Sequence, residues 1–346
     1  MMRRQGFTMI EMLIAVLVSS VVVAGLYSVF NMQSRQFVYQ DLQMEMHQNL
    51  RFATDMVTRS VRMAGYGTGG SVTGYSGSSG DDATLPVVMS WDGSGDGSTD
   101  GITVVYGDPS LRMNSKAVAT SCDTESLDFD LTILDQDDKI SEYSSGELLL
   151  CSDYASLMGI ESYLWEITAV DTSDGTISVT DNSGYSDYES VCQSDENLSP
   201  SMLCSKAHLI TFYIDGDDDG TGPGSSEHPV LMMDLDMGWP ESDDVPLVDN
   251  IEDLQVEYCV DTTGTGVDCS DDSNWTDSIT SAQGDDVWMV RLSVISRSSR
   301  KDPQNIRAST RPELANHSAA SSSDRYYRQV LVTEVAVRNL RHQANL

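Results

Sequence analysis

The sequence predicts an α+β fold, with one long N-terminal helix packed on a large, mainly antiparallel β head. Three observations carry this. An apolar stretch near the start runs into residues 31–63, which hold no Pro or Gly. From residue 102 onward, short apolar or alternating segments recur between turns rich in Asp, Gly and Ser. No helix of comparable strength appears in that second region. A chain of 346 residues is ample for a sizeable core.

The chain opens Met1-Met2-Arg3-Arg4-Gln5-Gly6-Phe7-Thr8-Met9-Ile10-Glu11. A short basic leader thus precedes an apolar run, and residues 12–29 carry no charge at all. With Phe30 this is about the length a helix needs to cross a bilayer. Arg3 and Arg4 place the start on the cytoplasmic side. Glu11 breaks the pattern. A carboxylate at membrane depth costs about 2.5–3.5 kcal/mol on insertion scales, so a partner is expected: either Glu11 snorkels to the headgroups at little cost, or it awaits a cation from another subunit. Ordinary signal-peptidase cleavage after Val22-Val23-Ala24 is the rival processing route, but an acid at the front of the apolar run suits it poorly.

Beyond Phe30 the helix continues as a stripe. Leu42, Met46, Leu50, Ala53, Met56 or Val57, and Val61 recur at spacings of three and four, so one face is apolar. Gly65 and Gly67 end it. A helix from Phe7 to about Met63 is roughly 85 Å long at 1.5 Å per residue, suited to a rod whose outer end lies on its own head.

Residues 65–101 read as a long loop. Strands are expected at 102–106, 127–133, 148–150, 164–170, 176–180, 209–214, 230–235, 254–260, 287–296 and 330–337. The spacing Gly65-x-Gly67-x-x-Gly70 matches a dinucleotide fingerprint, but it follows a helix instead of a strand and is rejected.

Charge is segregated. Lys and Arg total 20 against 54 Asp and Glu, a net −34. Residues 1–62 carry +2, residues 63–290 carry −42 and residues 291–346 carry +6. So acidic a surface repels phosphate backbones, which excludes nucleic acid as a partner of the bulk of the chain. The middle needs solvent, cations or a basic partner. Arg291, Arg297, Arg325, Arg328, Arg338 and Arg341, flanking the last strands, are the nearest intramolecular candidates, or they serve an adjacent subunit.

Cys122, Cys151, Cys192, Cys204, Cys259 and Cys269 include no CxxC pair and no zinc spacing. An even count in loop-rich acidic sequence points to disulfides in an oxidising compartment. Of 15 pairings, short loops favour near neighbours: Cys122 with Cys151, Cys192 with Cys204, Cys259 with Cys269. Asp215, Asp217 and Asp219 stand at the first, third and fifth positions of a loop with Gly220 sixth, as a calcium loop begins. Pro223 and Ser226 then depart from that pattern. Asp92, Ser94, Asp96 and Asp100 make a weaker version. No cofactor is required by anything in the sequence. His47, His208, His228, His317 and His342 are scattered, and no HExxH, GxSxG or P-loop occurs, so catalysis is not expected.

Gly6-Phe7-Thr8-Met9-Ile10-Glu11 resembles the leader junction of type IV pilins and type II secretion pseudopilins. The resemblance implies that a prepilin peptidase removes residues 1–6, cutting between Gly6 and Phe7, and methylates the new amine of Phe7. It also implies that Glu11, then fifth in the mature chain, pairs with the N-terminal amine of a neighbouring subunit. Residues 7–30 then form the membrane and filament-core helix, 31–64 its amphipathic continuation, and 65–346 an extracytoplasmic pilin-like head. Five blocks are similar to the PilW family of minor pilins: 62–67 (Arg-Met-Ala-Gly-Tyr-Gly), 210–215 (Ile-Thr-Phe-Tyr-Ile-Asp), 247–258, 290–298 and 327–341. This implies a minor pilin that primes type IV pilus assembly. Its partners would be other minor and major pilins, the peptidase and the inner-membrane assembly platform. The chain would cross the inner membrane once, head in the periplasm, before reaching the pilus. A secretion pseudopilin and a tip adhesin are the alternatives.

Overall fold

The computed structural model describes residues 8–73, 84–122, 129–135, 139–153, 161–180, 201–216, 222–235, 244–263, 266–302 and 309–340. The leader 1–6, Phe7, Cys192, Asp217, Asp219 and Arg341 lie outside the described residues, as does the side chain of Cys122.

Among the described residues, one α-helix, α1, runs from Met9 to Met63. At 1.5 Å per residue it is about 80 Å long. Its first half meets no part of the head among the described residues: Leu13, Leu17, Leu26 and Phe30 are each about two-thirds exposed. The head takes hold where Tyr39 meets Tyr327 edge-on, ring centres 5.0 Å apart. From there Leu42, Met46, Leu50, Ala53, Val57 and Val61 are buried. Between the two candidates named for that turn of the stripe, Val57 is the buried one and Met56 stays at the margin. Each large side chain so buried contributes about 1.5–3 kcal/mol, enough to fix the rod to the head. Gly65 ends α1 at φ 75°, donates to Val105 O at 2.9 Å, and lies so close to Leu340 that a Cβ would meet its Cδ2 at 2.9 Å. Both facts require glycine there.

Among the described residues, fifteen strands follow. They are β1 (Val72–Thr73), β2 (Thr84–Leu85), β3 (Val88–Trp91), β4 (Gly101–Cys122), β5 (Phe129–Asp135), β6 (Leu148–Asp153), β7 (Glu161–Asp171) and β8 (Thr176–Thr180). The second half of the head adds β9 (Ser201–Asp215), β10 (Val230–Asp234), β11 (Val245–Asp249), β12 (Ile251–Val260), β13 (Trp275–Thr276), β14 (Val287–Arg297) and β15 (Arg328–Ala336). Each of the ten expected strands is present. The loop expected over 65–101 is not wholly a loop, since it contributes β1, β2 and β3. These strands are two to four residues long, too short to show an alternation.

The strands form two sheets. The larger runs β11-β10-β9-β4-β5-β8-β7-β1-β2, with β3 on β4 and β6 bridging β7 and β9. The smaller runs β13-β12-β14-β15. Every pairing is antiparallel except β1 with β7. The buried stripe of α1 shares one core with both sheets, through Val104, Phe212 and Ile214 on one side and Leu254, Val256, Leu292 and Val335 on the other. The long strands β4 and β9 then carry the chain into a second, separate core of Met113, Leu149, Trp165, Ile167, Ile177 and Val179.

Among the described residues, two disulfides staple this frame. Cys259 joins Cys269, as short-loop closure suggests. Cys151 joins Cys204, which corrects both other pairings expected from the sequence. The cause is register. Cys151 and Cys204 stand opposite each other on the adjacent antiparallel strands β6 and β9, with Cα atoms 4.0 Å apart. Sheet pairing, which the loop-length argument ignores, decides the encounter.

Candidate assembly site at the membrane end of the helix

The sequence singled out Glu11 as an acid needing a partner, and the structure supplies one within the chain. Thr8 is the N-cap of α1 and forms a capping box with Glu11. The Thr8 backbone N–H and hydroxyl both donate to Glu11 Oε2 at 2.9 Å, and the Glu11 N–H donates to Thr8 Oγ1 at 3.4 Å. A Thr followed three residues later by Glu before an apolar run is the signature of this cap, legible in Thr8-Met9-Ile10-Glu11 and overlooked in the sequence reading. The carboxylate also faces the positive end of the helix dipole. No hydrogen bond involves Oε1 among the described residues, so one oxygen remains open. The apolar run behind it is long and apolar enough to cross a membrane, and none of it is buried in the chain.

The acidic middle is neutralised in two ways, only one of them foreseen. Arg291 reaches Asp272 at 3.0 Å, Glu334 at 3.1 Å and Glu257 at 3.5 Å, and lies over the Trp275 ring. Arg328 holds Glu252 through Nε and Nη2, with Asp324 beside it. Its neighbour Arg297 pairs with no acid among the described residues; it donates to Ser226 O at 2.9 Å and stacks on Tyr326. Arg311, not singled out earlier, meets fully buried Asp253 at 2.8 Å, and His317 Nδ1 meets the same oxygen at 2.9 Å. Because His317 Nε2 faces Arg311 Nη2 at 2.7 Å, that nitrogen accepts and Nδ1 carries the proton.

The unforeseen route is the backbone. In Asp108, Asp171, Asp268 and Asp271 the carboxylate accepts from both the N–H and the hydroxyl of a Ser two residues on. The recurring Asp-x-Ser was the signal available in the sequence. These bonds hold the Asp171, Asp268 and Asp271 carboxyls below their ordinary value. Asp100, almost fully buried, accepts from Gly93 N at 2.8 Å and Val256 N at 2.9 Å, tying the start of β4 to β12. Burial pushes its carboxyl up to about 6, against the pull of those two N–H groups, and Asp92 and Asp253 raise it further.

Of the three acids expected to begin a calcium loop, Asp215 lies among the described residues, and Asp217 and Asp219 lie outside them. Asp215 is buried and its Oδ2 accepts from Gly224 N at 2.7 Å. Asp96, of the weaker loop, accepts from Gly216 N at 2.9 Å, and Asp92 from Asn316 at 2.9 Å. The two acidic loops therefore meet, but as acceptors of protein donors. Among the described residues, no group of three or more His, Cys, Asp or Glu side chains is arranged to hold a metal ion.

Comparison with known proteins matches both ends of the chain. Residues 1–27 match the prokaryotic N-terminal methylation motif, and residues 211–339 match PilW, the type IV pilus-assembly protein W. No curated protein matches the chain. Among solved structures, it is similar to a type IV-like pilin from Thermus thermophilus at 9% identity and a TM-score of 0.33, over 85% of this chain and 97% of that one. A likeness at that level is loose, and the fold rests on the helix and sheets themselves. The PilW match spans the strands β10 to β15, which include the whole smaller sheet packed on α1, while the second core of Trp165 and Ile177 lies outside it. The methylation motif lies where the helix begins and the PilW region where the head closes, so the chain is similar to type IV pilins at its start and to the PilW family over residues 211–339.

Proposed function

We propose that this chain is a minor pilin that helps initiate type IV pilus assembly. The observation that carries the proposal is the first half of α1, apolar all round and without contact to its own head. Such a surface is stable only in lipid or against other helices of the same kind. The chain first spans the inner membrane with its head in the periplasm, and then exchanges lipid for a bundle of subunit helices. Cleavage between Gly6 and Phe7 removes Arg3 and Arg4 and leaves an ammonium one residue before the Thr8 cap.

That ammonium is poorly placed in its own chain, since a positive charge at a helix N-terminus opposes the dipole. Glu11 Oε1 offers it a partner. In our reading the amine of one subunit meets Glu11 of the next, so that two charges costly in hydrocarbon are buried together. The cap through Oε2 holds the carboxylate in place meanwhile. The PilW match, whose description names pilus assembly, favours the pilus over a secretion machine. The role is structural and not enzymatic.

Mass spectrometry of the mature chain tests the processing, and copurification with sheared pili tests incorporation. N-methyl-Phe7 at the terminus and loss of incorporation in Glu11→Ala are expected. A mature chain beginning at Gly25, or normal pili seeded equally well by Glu11→Ala, would overturn the reading.

A further inference from the structure

The smaller sheet ends at β15, and its outer edge is open. Val337 donates to Trp288 O at 3.0 Å and Ser298 donates to Tyr327 O at 2.9 Å. The alternation of an antiparallel pair therefore turns the N–H and C=O groups of residues 327, 329, 331, 333, 335 and 337 toward β14. Those of residues 328, 330, 332, 334 and 336 point away, and no strand pairs with them among the described residues. Val330 and Val332 lie on this edge about half exposed. A nine-residue edge with two exposed valines and no blocking Pro or Lys is a template for another strand.

Alongside it, between β15 and α1, runs a groove of about 680 Å³. Arg51, Arg59, Arg62 and Arg338 line it, with Asp55 as the single acid. All four guanidiniums are exposed, and none forms an ion pair among the described residues. Thr54 and Thr58, more than nine-tenths buried, also line it, with hydroxyls that meet no hydrogen-bond partner. In a chain of net charge −34, four cations against one acid on one flank are a local reversal of sign.

We propose that this edge and groove receive an acidic, extended strand from the head of a neighbouring subunit, added to β15 by backbone hydrogen bonds and selected by the arginines. Charge and distance fix the choice of occupant. Residues 63–290 of this chain carry −42, so a neighbouring head of like composition presents the complementary sign. Lipid headgroups are out of reach, because Arg51 lies roughly 30 Å along the helix beyond Phe30 at 1.5 Å per residue. The partner's identity as a pilin rests on the function proposed above; the chemistry of the groove does not.

The test uses the full chain in detergent micelles and a labelled peptide alternating Val and Glu, read by fluorescence anisotropy. Two control peptides carry Lys in place of Glu, or N-methylated backbone nitrogens. The acidic peptide is expected to bind, with an affinity that falls as salt rises. Arg51→Glu with Arg59→Glu is expected to weaken it about 10-fold or more. Val332→Pro removes an outward N–H without breaking the ladder to β14, and is expected to do the same. Should Val332→Pro lower the melting temperature, the N-methylated peptide, which should fail to bind, decides alone. Equal binding of the Lys or N-methylated peptide, unchanged binding to the double variant, or binding of a DNA duplex in preference to the acidic peptide would overturn the proposal. A Glu11→Ala chain that enters no filament yet binds the peptide leaves this inference standing, and loss of peptide binding leaves the priming role untouched.

Discussion

Thr8 and Glu11 close a reciprocal cap at the membrane end of α1, each backbone N–H donating to the other's side chain, at 2.9 Å and 3.4 Å. The acid expected to wait for a neighbour is therefore already held, through one oxygen, by the helix it begins. Capping uses one oxygen of the carboxylate and leaves the other for the intersubunit pairing proposed above, and substitutions can separate the two.

Thr8→Ala removes the hydroxyl and costs about 1 kcal/mol of helix capping while keeping the charge of Glu11. Incorporation into pili should remain close to normal. Glu11→Gln keeps an oxygen able to accept from the Thr8 N–H but carries no charge, and incorporation should fall about 10-fold or more, a loss of about 1.4 kcal/mol. Immunoblots of sheared pili read both. Normal incorporation of Glu11→Gln would mean that the filament needs the cap and not the charge.

The two disulfides should differ in weight. In the chain-entropy description, closing the 53-residue separation of Cys151 and Cys204 contributes about 4 kcal/mol, and the 10-residue separation of Cys259 and Cys269 about 3 kcal/mol. Replacing Cys151 and Cys204 by Ala should loosen the second core first. Fluorescence of Trp165, stacked on Tyr163 at 5.2 Å, reports on that core. Hydrogen exchange at Met46–Val61 should stay slow. Simultaneous loss of protection in both regions would show one cooperative unit instead of two.

Asp100 gives the fold a pH dependence of defined sign. Its folded carboxyl titrates at about 6 and the unfolded one near 3.8, so the folded state holds the proton more tightly. Its contribution is greatest below about pH 4 and is lost as pH rises to about 6, on the order of 2–3 kcal/mol. Asp100→Asn should lower stability throughout, since one of the two backbone N–H groups loses its acceptor, and should flatten the curve between pH 4 and 6. Thermal melts across pH 4–7 check this; parallel curves for the two proteins would count against it.

Asp253 and Arg311 are coupled. Asp253→Ala leaves a mostly buried guanidinium without its carboxylate and should cost about 3–5 kcal/mol. Asp253→Ala combined with Arg311→Met should cost less than Asp253→Ala alone. Urea unfolding of the single and double variants measures the difference, and simple additivity would contradict the pairing.

The helix, its burial stripe, its glycine stop and ten of the strands were legible in the residues, because each depends on neighbours three or four apart along a helix or two apart along a strand. Leu42, Met46 and Leu50 announce their face wherever the head lies. The Thr8 cap was equally local. What the sequence could not decide was every relation that depends on register between distant strands. Cys151 faces Cys204 because β6 lies beside β9. Asp100 is buried because β4 docks on β12, and Asp253, on the same β12, meets Arg311 from far along the chain. The four arginines beside β15 form one groove only once α1 lies along that edge. Local chemistry therefore set the rod and the cap at its tip, whereas sheet order and packing chose which charges are quenched inside the head and which face outward.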